Sequence, residues 1–121
     1  MPVKRVLIVD DSPTERFFLT DVLRKQGYEV LTAESGEQGV SVAKQEKPDL
    51  ILMDVVMPGL NGFQATRQLS RNAETQSIPV IMCTTKGQET DRVWGMRQGA
   101  IDYLVKPVVP EELIAKVKAL D

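Results

Sequence analysis

Short apolar runs alternate along the chain with longer segments in which apolar residues recur at helical spacing. The first run, at about residues 4–9, has no polar alternation, which is typical of a strand covered on both faces of a sheet. The pattern predicts five strands, at about residues 4–9, 29–33, 50–53, 80–84 and 101–105. It predicts five helices, at about residues 13–26, 36–46, 62–70, 88–98 and 110–120.

This regular alternation predicts an α/β fold, a three-layer sandwich in which a five-stranded parallel sheet lies between two layers of helices. The crossovers between strands are expected to be right-handed. We expect the strand order 2-1-3-4-5, which puts the third strand in the middle of the sheet. A single domain over residues 1–121, with no output domain, is predicted from the length and from the lack of linkers and repeats.

Residues at the helix ends support these boundaries. Ser12 is predicted to cap the first helix, with Pro13 at its first position and Glu15 completing a capping box. Gly27 is predicted to end the same helix. In the fourth helix, Trp94 is expected to be partly buried.

Composition narrows the functional classes. The chain has 15 basic and 17 acidic residues in a well-mixed pattern, which does not indicate a nucleic-acid-binding surface. No apolar run is long enough for a membrane span, and no signal peptide is recognised, so a cytoplasmic protein is expected. The one cysteine, Cys83, is expected to be a core residue. Since the chain has no histidine, a phosphohistidine in its chemistry must belong to a partner.

Reactive polar residues follow four of the predicted strands. Asp10 and Asp11 follow the first strand, Asp54 follows the third, Thr84 ends the fourth and Lys106 follows the fifth. Parallel strands bring these residues to one edge of the sheet, where open α/β sheets bind their ligands. Three carboxylates, a hydroxyl and an ammonium at one edge indicate a site for a divalent cation and a phosphoryl group.

Each member of this group has a predicted role. Asp11 is expected to bind Mg²⁺ directly and Asp10 through water, because Mg²⁺ needs few direct carboxylates and keeps several waters. Asp54 can attack phosphorus to form an acyl phosphate. Thr84 can donate to a phosphoryl oxygen, and Lys106 is expected to pair with Asp54 at rest. The backbone carbonyl of Val56 is a further candidate metal ligand, and Mn²⁺ is expected to substitute for Mg²⁺.

The quoted residues resemble the response-regulator receiver domain of two-component signalling, a CheY-like module with a flavodoxin-like (βα)5 fold. The resemblance covers about residues 4–120 and is carried by Ile8–Ser12, Asp54–Gly62, Thr84 and Lys106–Pro107. It implies that Asp54 accepts a phosphoryl group from a histidine kinase and that Asp10 and Asp11 organise Mg²⁺. It also implies that Thr84 and Lys106 contact the phosphoryl group, and that Tyr103 swings inward as Thr84 moves.

Other segments resemble regulators of twitching motility: Asp11–Glu15, Met57–Leu69 and Val93–Gly95. This likeness implies that the kinase is a chemotaxis-like histidine kinase, or its phosphotransfer domain, and that the output concerns type IV pili. The protein is then a phosphoacceptor rather than an enzyme, and it is expected to be a monomer that signals by contact with an output protein. Candidate contact residues are Lys86, Arg92, Met96, Tyr103 and Val105.

Two alternative functions remain open. The protein can act as a phosphate sink that drains a shared kinase and has no target of its own. More remotely, Asp54 can be the nucleophile of a phosphohydrolase. The known aspartate phosphatases have a second Asp two positions after the nucleophile, where this chain has Val56.

Overall fold

The structure is a computed structural model that describes residues 2–121. Five strands and five helices alternate along these residues. The strands are β1 (Arg5–Val9), β2 (Glu29–Ala33), β3 (Leu50–Met53), β4 (Val80–Thr84) and β5 (Asp102–Val105). The helices are α1 (Pro13–Lys25), α2 (Gly36–Glu46), α3 (Gly62–Arg71), α4 (Glu89–Gln98) and α5 (Pro110–Lys118).

The strands form one parallel sheet in the order β2-β1-β3-β4-β5, which confirms the predicted fold and strand order. The sheet is buried on both faces. Leu19 and Leu23 of α1 and Leu113 of α5 belong to the core on one face, and Val40 of α2 and Leu69 of α3 belong to the core on the other. Within residues 2–121, no helix is both long and apolar enough to cross a membrane.

The cap of α1 differs in part from the prediction. The Ser12 hydroxyl accepts a hydrogen bond from the Glu15 backbone N–H at 3.2 Å, as expected. The capping box was wrong, however, because the Ser12 N–H donates to Asp10 Oδ1 at 2.9 Å rather than to Glu15. Asp10 precedes Ser12 by two residues, so its carboxylate reaches this N–H as a short local turn. The cap of α1 is therefore tied to the acidic group at the end of β1.

Helix α4 lies close to the sheet through a glycine. A Cβ atom on Gly95 would lie 3.2 Å from the ring of Tyr103 and 3.3 Å from the side chain of Met82. This small residue takes the inward position, and the neighbouring large apolar side chains Val93, Trp94 and Met96 are exposed. Trp94 is 47% exposed, so the expectation that it is partly buried was wrong.

Asp49, just before β3, joins the starts of two strands. Its Oδ2 accepts hydrogen bonds from the backbone N–H groups of Lys4 and Arg5, both at 2.9 Å, and these bonds lower the pKa of Asp49.

We expect Asp49→Ala to reduce the free energy of unfolding at neutral pH by about 1 kcal/mol, whereas Asp49→Asn, which keeps an acceptor, loses less. A lowered folded-state pKa means that the carboxylate stabilises the fold above its unfolded pKa, and this contribution is lost as the pH falls through the folded value. Urea unfolding across acidic pH should therefore show the difference between the wild type and Asp49→Ala shrinking in acid; a difference that grows in acid would contradict this account.

Candidate functional site

The polar residues that end β4 or follow β1, β3 and β5 meet at one edge of the sheet, as predicted. Asp10 is 1% exposed and Asp54 is 6% exposed, whereas Asp11 is exposed to solvent. One carboxylate oxygen from each of these three residues lies within 4.8 Å of the other two. Three hard oxygen donors at this spacing suit a small divalent cation such as Mg²⁺.

Asp10 is the most tightly held member of the group. Its Oδ2 accepts a hydrogen bond from Lys106 Nζ at 2.6 Å, and its backbone carbonyl accepts one from Arg16 Nη1 at 2.7 Å. Arg16 also pairs with Glu34 at 3.2 Å, so it links the end of β1 to the segment that follows β2. Asp10 is therefore fixed by contacts to both of its carboxylate oxygens and to its backbone.

Lys106 pairs with Asp54, as predicted, but makes its hydrogen bond to a different carboxylate. Lys106 Nζ lies 3.7 Å from Asp54 Oδ2, beyond hydrogen-bond distance, and its hydrogen-bonded partner is Asp10. Asp10 is the more deeply buried of the two carboxylates, and a buried charge is the one that most needs a paired, hydrogen-bonded cation. Lys106 therefore lies between the two carboxylates, with a hydrogen bond to Asp10 and a longer ion pair to Asp54.

Burial and charge shape the titration of this group. Burial, and then the negative charge of Asp10, raise the pKa of Asp54, while Lys106, the Thr84 hydroxyl and the Val55 N–H act in the opposite direction. For Lys106, burial alone would lower the pKa, but the hydrogen bond to Asp10 and the charge of Asp54 raise it overall. Lys106 is therefore a fixed cation beside the carboxylates. Three acidic residues against one lysine leave an excess of negative charge that attracts cations.

Thr84 and Tyr103 both contact Lys86. The Thr84 hydroxyl accepts a hydrogen bond from the Lys86 N–H at 3.3 Å, and the Tyr103 hydroxyl donates one to the Lys86 carbonyl at 2.5 Å. Burial raises the pKa of Tyr103 to about 12, so this hydroxyl stays protonated at neutral pH. The backbone of Lys86, just after β4, is thus held by Thr84 through its N–H and by Tyr103 of β5 through its carbonyl.

The candidate contact residues are divided by their exposure. Tyr103 is only 2% exposed and already points inward, with the Arg92 guanidinium 5.9 Å from the centre of its ring. Tyr103 therefore lies under the proposed contact surface rather than on it. The other four candidates, Lys86, Arg92, Met96 and Val105, are exposed.

The segment between β3 and α3 folds back against Asp54. Gly62 donates its N–H to the Val55 carbonyl at 3.0 Å, and a Cβ atom on Gly62 would lie only 2.0 Å from the backbone oxygen of Asp54. The side chains of Asn61 and Gln64 form a reciprocal capping box that starts α3 at this point. The sequence reasoning missed this box, although the Asn-x-x-Gln spacing is visible in the chain.

Other features of the site were not predicted from the sequence. The role of Arg16 was missed, because its contacts to Asp10 and Glu34 join residues at the ends of two different strands. The Lys106–Pro107 peptide bond is cis, a geometry that the sequence left open. Val56 lies in the loop after Asp54 with an exposed side chain.

Comparisons with known proteins agree with this geometry. A family model described as the response regulator receiver domain matches residues 6–118. The chain is 65% identical to protein PilH of Pseudomonas aeruginosa over 96% of each chain. Its structure resembles that of the Vibrio cholerae chemotaxis protein CheY4, with a TM-score of 0.91, 32% identity and coverage of 98% of this chain and 99% of CheY4.

A second solved structure bears on the metal. The receiver domain of the Pseudomonas aeruginosa sensor histidine kinase PA1611, with a magnesium ion coordinated in its active-site cleft, has a TM-score of 0.90 to this chain. The two are 31% identical, and the match covers 98% of this chain and 97% of the other. The family match, the identity to PilH and the acidic strand-end group lead to one conclusion: the chain belongs to the response regulator receiver domain family.

Proposed function

We propose that the protein accepts a phosphoryl group on Asp54 from the phosphohistidine of a histidine kinase and acts in the control of twitching motility. The observation that supports this most strongly is the position of the Asp54 carboxylate, which is buried beside a fixed cation and two other acids. In the reaction, a carboxylate oxygen of Asp54 forms a bond to phosphorus as the P–N bond of the donor breaks. The imidazole of the donor leaves with the bonding electron pair.

Neighbouring residues stabilise the charge on the transferred group. Asp54 Oδ2 lies 3.7 Å from Lys106 Nζ, so a phosphoryl group attached to Asp54 comes within reach of this ammonium. The Thr84 hydroxyl lies beside the attacking carboxylate, since its hydrogen bonding to Asp54 lowers the pKa of that group. It can therefore donate to an oxygen of a phosphoryl group attached to Asp54.

The acidic group fits Mg²⁺, since its three carboxylates offer hard oxygen ligands close together. Asp11 and Asp54 would hold the ion, with Asp10 acting through water and the Val56 carbonyl completing the protein ligands; Mn²⁺ would fit the same donors. A bound ion would supply positive charge that offsets the charge of the phosphoryl oxygens.

Mg²⁺ is expected to stabilise the folded protein, because it relieves repulsion among the three carboxylates. At a free concentration about 100 times its Kd, the gain in the free energy of unfolding is about 2.7 kcal/mol. Asp11→Ala should reduce this gain strongly. The control is Asp21→Ala, which removes an exposed acid paired only with Lys25. Thermal unfolding with and without Mg²⁺ measures the gain, and an equal gain in both variants would contradict the assignment of Asp11.

Output is expected to occur through contact with another protein. Thr84 and Tyr103 both bind Lys86, so a movement of Thr84 toward a phosphoryl group would change the segment next to the exposed residues Arg92 and Val105. We infer that the protein is a single cytoplasmic receiver domain, monomeric at rest. It would present a surface formed by the exposed residues Lys86, Arg92, Met96 and Val105 to its target. The identity to PilH supports type IV pili as the system that it controls.

Complementation tests this function. Expression of the chain in a Pseudomonas aeruginosa strain that lacks PilH should restore normal twitching on agar, and the Asp54→Ala variant should fail at equal protein levels. Full rescue by Asp54→Ala would contradict a function that depends on phosphorylation. Failure of the stable wild-type chain would contradict the proposed role in motility.

Two measurements separate signalling by contact from a phosphate sink: capture of binding partners and the lifetime of the phosphoryl group. A protein captured only in the presence of a phosphoryl mimic at Asp54 supports output by contact, whereas capture of the kinase alone supports a sink. A lifetime of hours would argue against a sink. A phosphohydrolase is disfavoured because Val56, two positions after Asp54, offers no acid to transfer a proton.

A further inference from the structure

A basic cleft lies between α2 and α3, away from the candidate site. Its volume is about 370 Å³. Its lining consists of three cationic side chains and two amide side chains: Lys44, Arg67, Gln68, Arg71 and Asn72. Arg67 and Arg71 are four residues apart on α3 and so lie on the same side of that helix, facing Lys44 of α2 across the cleft.

The three cations have no carboxylate partner. Among residues 2–121, ion pairs are formed by Arg5, Arg16, Lys25, Lys106 and Lys116, and none is formed by Lys44, Arg67 or Arg71. Of the acids nearby in the chain, Glu46 pairs with Arg5 at 2.8 Å, and Glu74 forms no ion pair with the cations of the cleft. The cleft therefore carries three uncompensated positive charges on a protein whose net charge is −2.

Helix capping explains only part of this arrangement. A basic residue in the last turn of a helix is favourable next to the helix dipole, and α1 and α5 each have two such residues while α4 has one. Capping does not require cations from two helices to converge on one cleft. The amide side chains add to its donors, since Asn72 Oδ1 already accepts from the Glu74 N–H and leaves its NH₂ group free.

We propose that this cleft is a docking site for an acidic segment of a partner protein. Arginine side chains bind carboxylates through paired N–H donors, and a concave cleft between two helices suits inserted Asp or Glu side chains. A membrane surface or a nucleic acid fits less well, because the protein as a whole is acidic and the cleft presents only three cationic side chains.

The cleft lies at the edge of the sheet opposite Asp54. Helices α2 and α3 run back from that edge, and Lys44 and Arg71 are in their last turns, near the points from which β3 and β4 begin. The phosphorylated residue and the cleft are thus separated by the length of the sheet. Docking at the cleft is therefore independent of phosphorylation, and holds the protein near its partner in both states.

Binding of a fluorescein-labelled peptide of alternating Glu and Ser tests this proposal by fluorescence anisotropy. The triple variant Lys44→Gln, Arg67→Gln, Arg71→Gln should bind at least about tenfold more weakly than the wild type. The matched control is Arg24→Gln, Arg97→Gln, Lys118→Gln, which removes the same charge from last-turn positions that also lack ion pairs and should change the affinity less than about twofold.

Three results would overturn the proposal. One is equal weakening by the two triple variants, which would indicate general attraction to basic charge. Another is tighter binding, through Lys44, Arg67 and Arg71, to phosphatidylglycerol vesicles or to a single-stranded oligonucleotide than to the peptide. The third is a large change in peptide affinity after phosphorylation with acetyl phosphate. Amide NMR shifts confined to α2 and α3 on peptide addition, in a folded protein, would support it.

Discussion

Asp54→Ala is expected to abolish phosphorylation of the protein by acetyl phosphate in the presence of Mg²⁺. The variant lacks the oxygen that attacks phosphorus, and we expect uptake to fall by more than about 100-fold. The fold should survive, because the pKa of Asp54 is raised by burial and by the charge of Asp10, so that its ionised carboxylate is not a stabilising group. Intact-protein mass spectrometry measures the uptake, and thermal unfolding checks that the variant is folded.

Asp21→Ala serves as the control for this experiment. Asp21 is exposed on α1 and pairs only with Lys25 at 3.1 Å, a contact that contributes little to stability. Its loss should leave phosphorylation unchanged. Stoichiometric uptake by Asp54→Ala would show that another residue accepts the phosphoryl group.

Gly62→Ala is expected to destabilise the protein by about 3 kcal/mol or more, because the new methyl group would meet backbone rather than a flexible side chain. It would lie 2.0 Å from the Asp54 carbonyl oxygen and 2.8 Å from the Val55 Cα atom. Intrinsic helix propensity acts the other way, since Ala is favoured over Gly within a helix, so a loss of stability reports the clash. Phosphorylation should fall as well, because relief of the clash must move the backbone of Asp54. Urea unfolding and the rate of phosphoryl uptake test the two effects.

Gly27→Ala separates the clash from backbone strain. Gly27 has φ +90°, and a Cβ atom there meets nothing within 4 Å. The variant should lose about 1 kcal/mol from strain alone and keep a normal rate of phosphorylation. If Gly62→Ala loses only as much stability as Gly27→Ala and keeps a normal rate of phosphorylation, the close approach of α3 to Asp54 is not needed for the fold or for phosphorylation.

The sequence predicted the fold well because its local signals agree with one another. Residues 29–33, 36–46 and 50–53 form the elements expected for them, with Ser35 capping α2 as its position before the helix indicates. Apolar runs without polar alternation predicted a parallel sheet buried on both faces. Because parallel strands end at the same edge of a sheet, the polar residues at the ends of these runs were expected to lie close together. The acidic group of the candidate site follows from this topology alone.

Details that depend on three-dimensional packing were beyond the sequence. Lys106 pairs with Asp54 as predicted, but its hydrogen bond goes to Asp10, the more buried of the two acids, and no spacing in the sequence reveals that second contact. Trp94 is exposed because Gly95 takes the inward position against Tyr103. The basic cleft joins Lys44 to Arg67 and Arg71 from two helices that only the folded chain brings together.

The most direct test of the central claim is to locate the phosphoryl group. The wild-type protein is phosphorylated with acetyl phosphate and Mg²⁺, reduced with borohydride so that an acyl phosphate becomes homoserine, and sequenced by tandem mass spectrometry. We expect homoserine at position 54 and at neither Asp10 nor Asp11. Conversion of Asp10 or Asp11, or a phosphoryl group on a serine or threonine with Asp54 unmodified, would contradict the account.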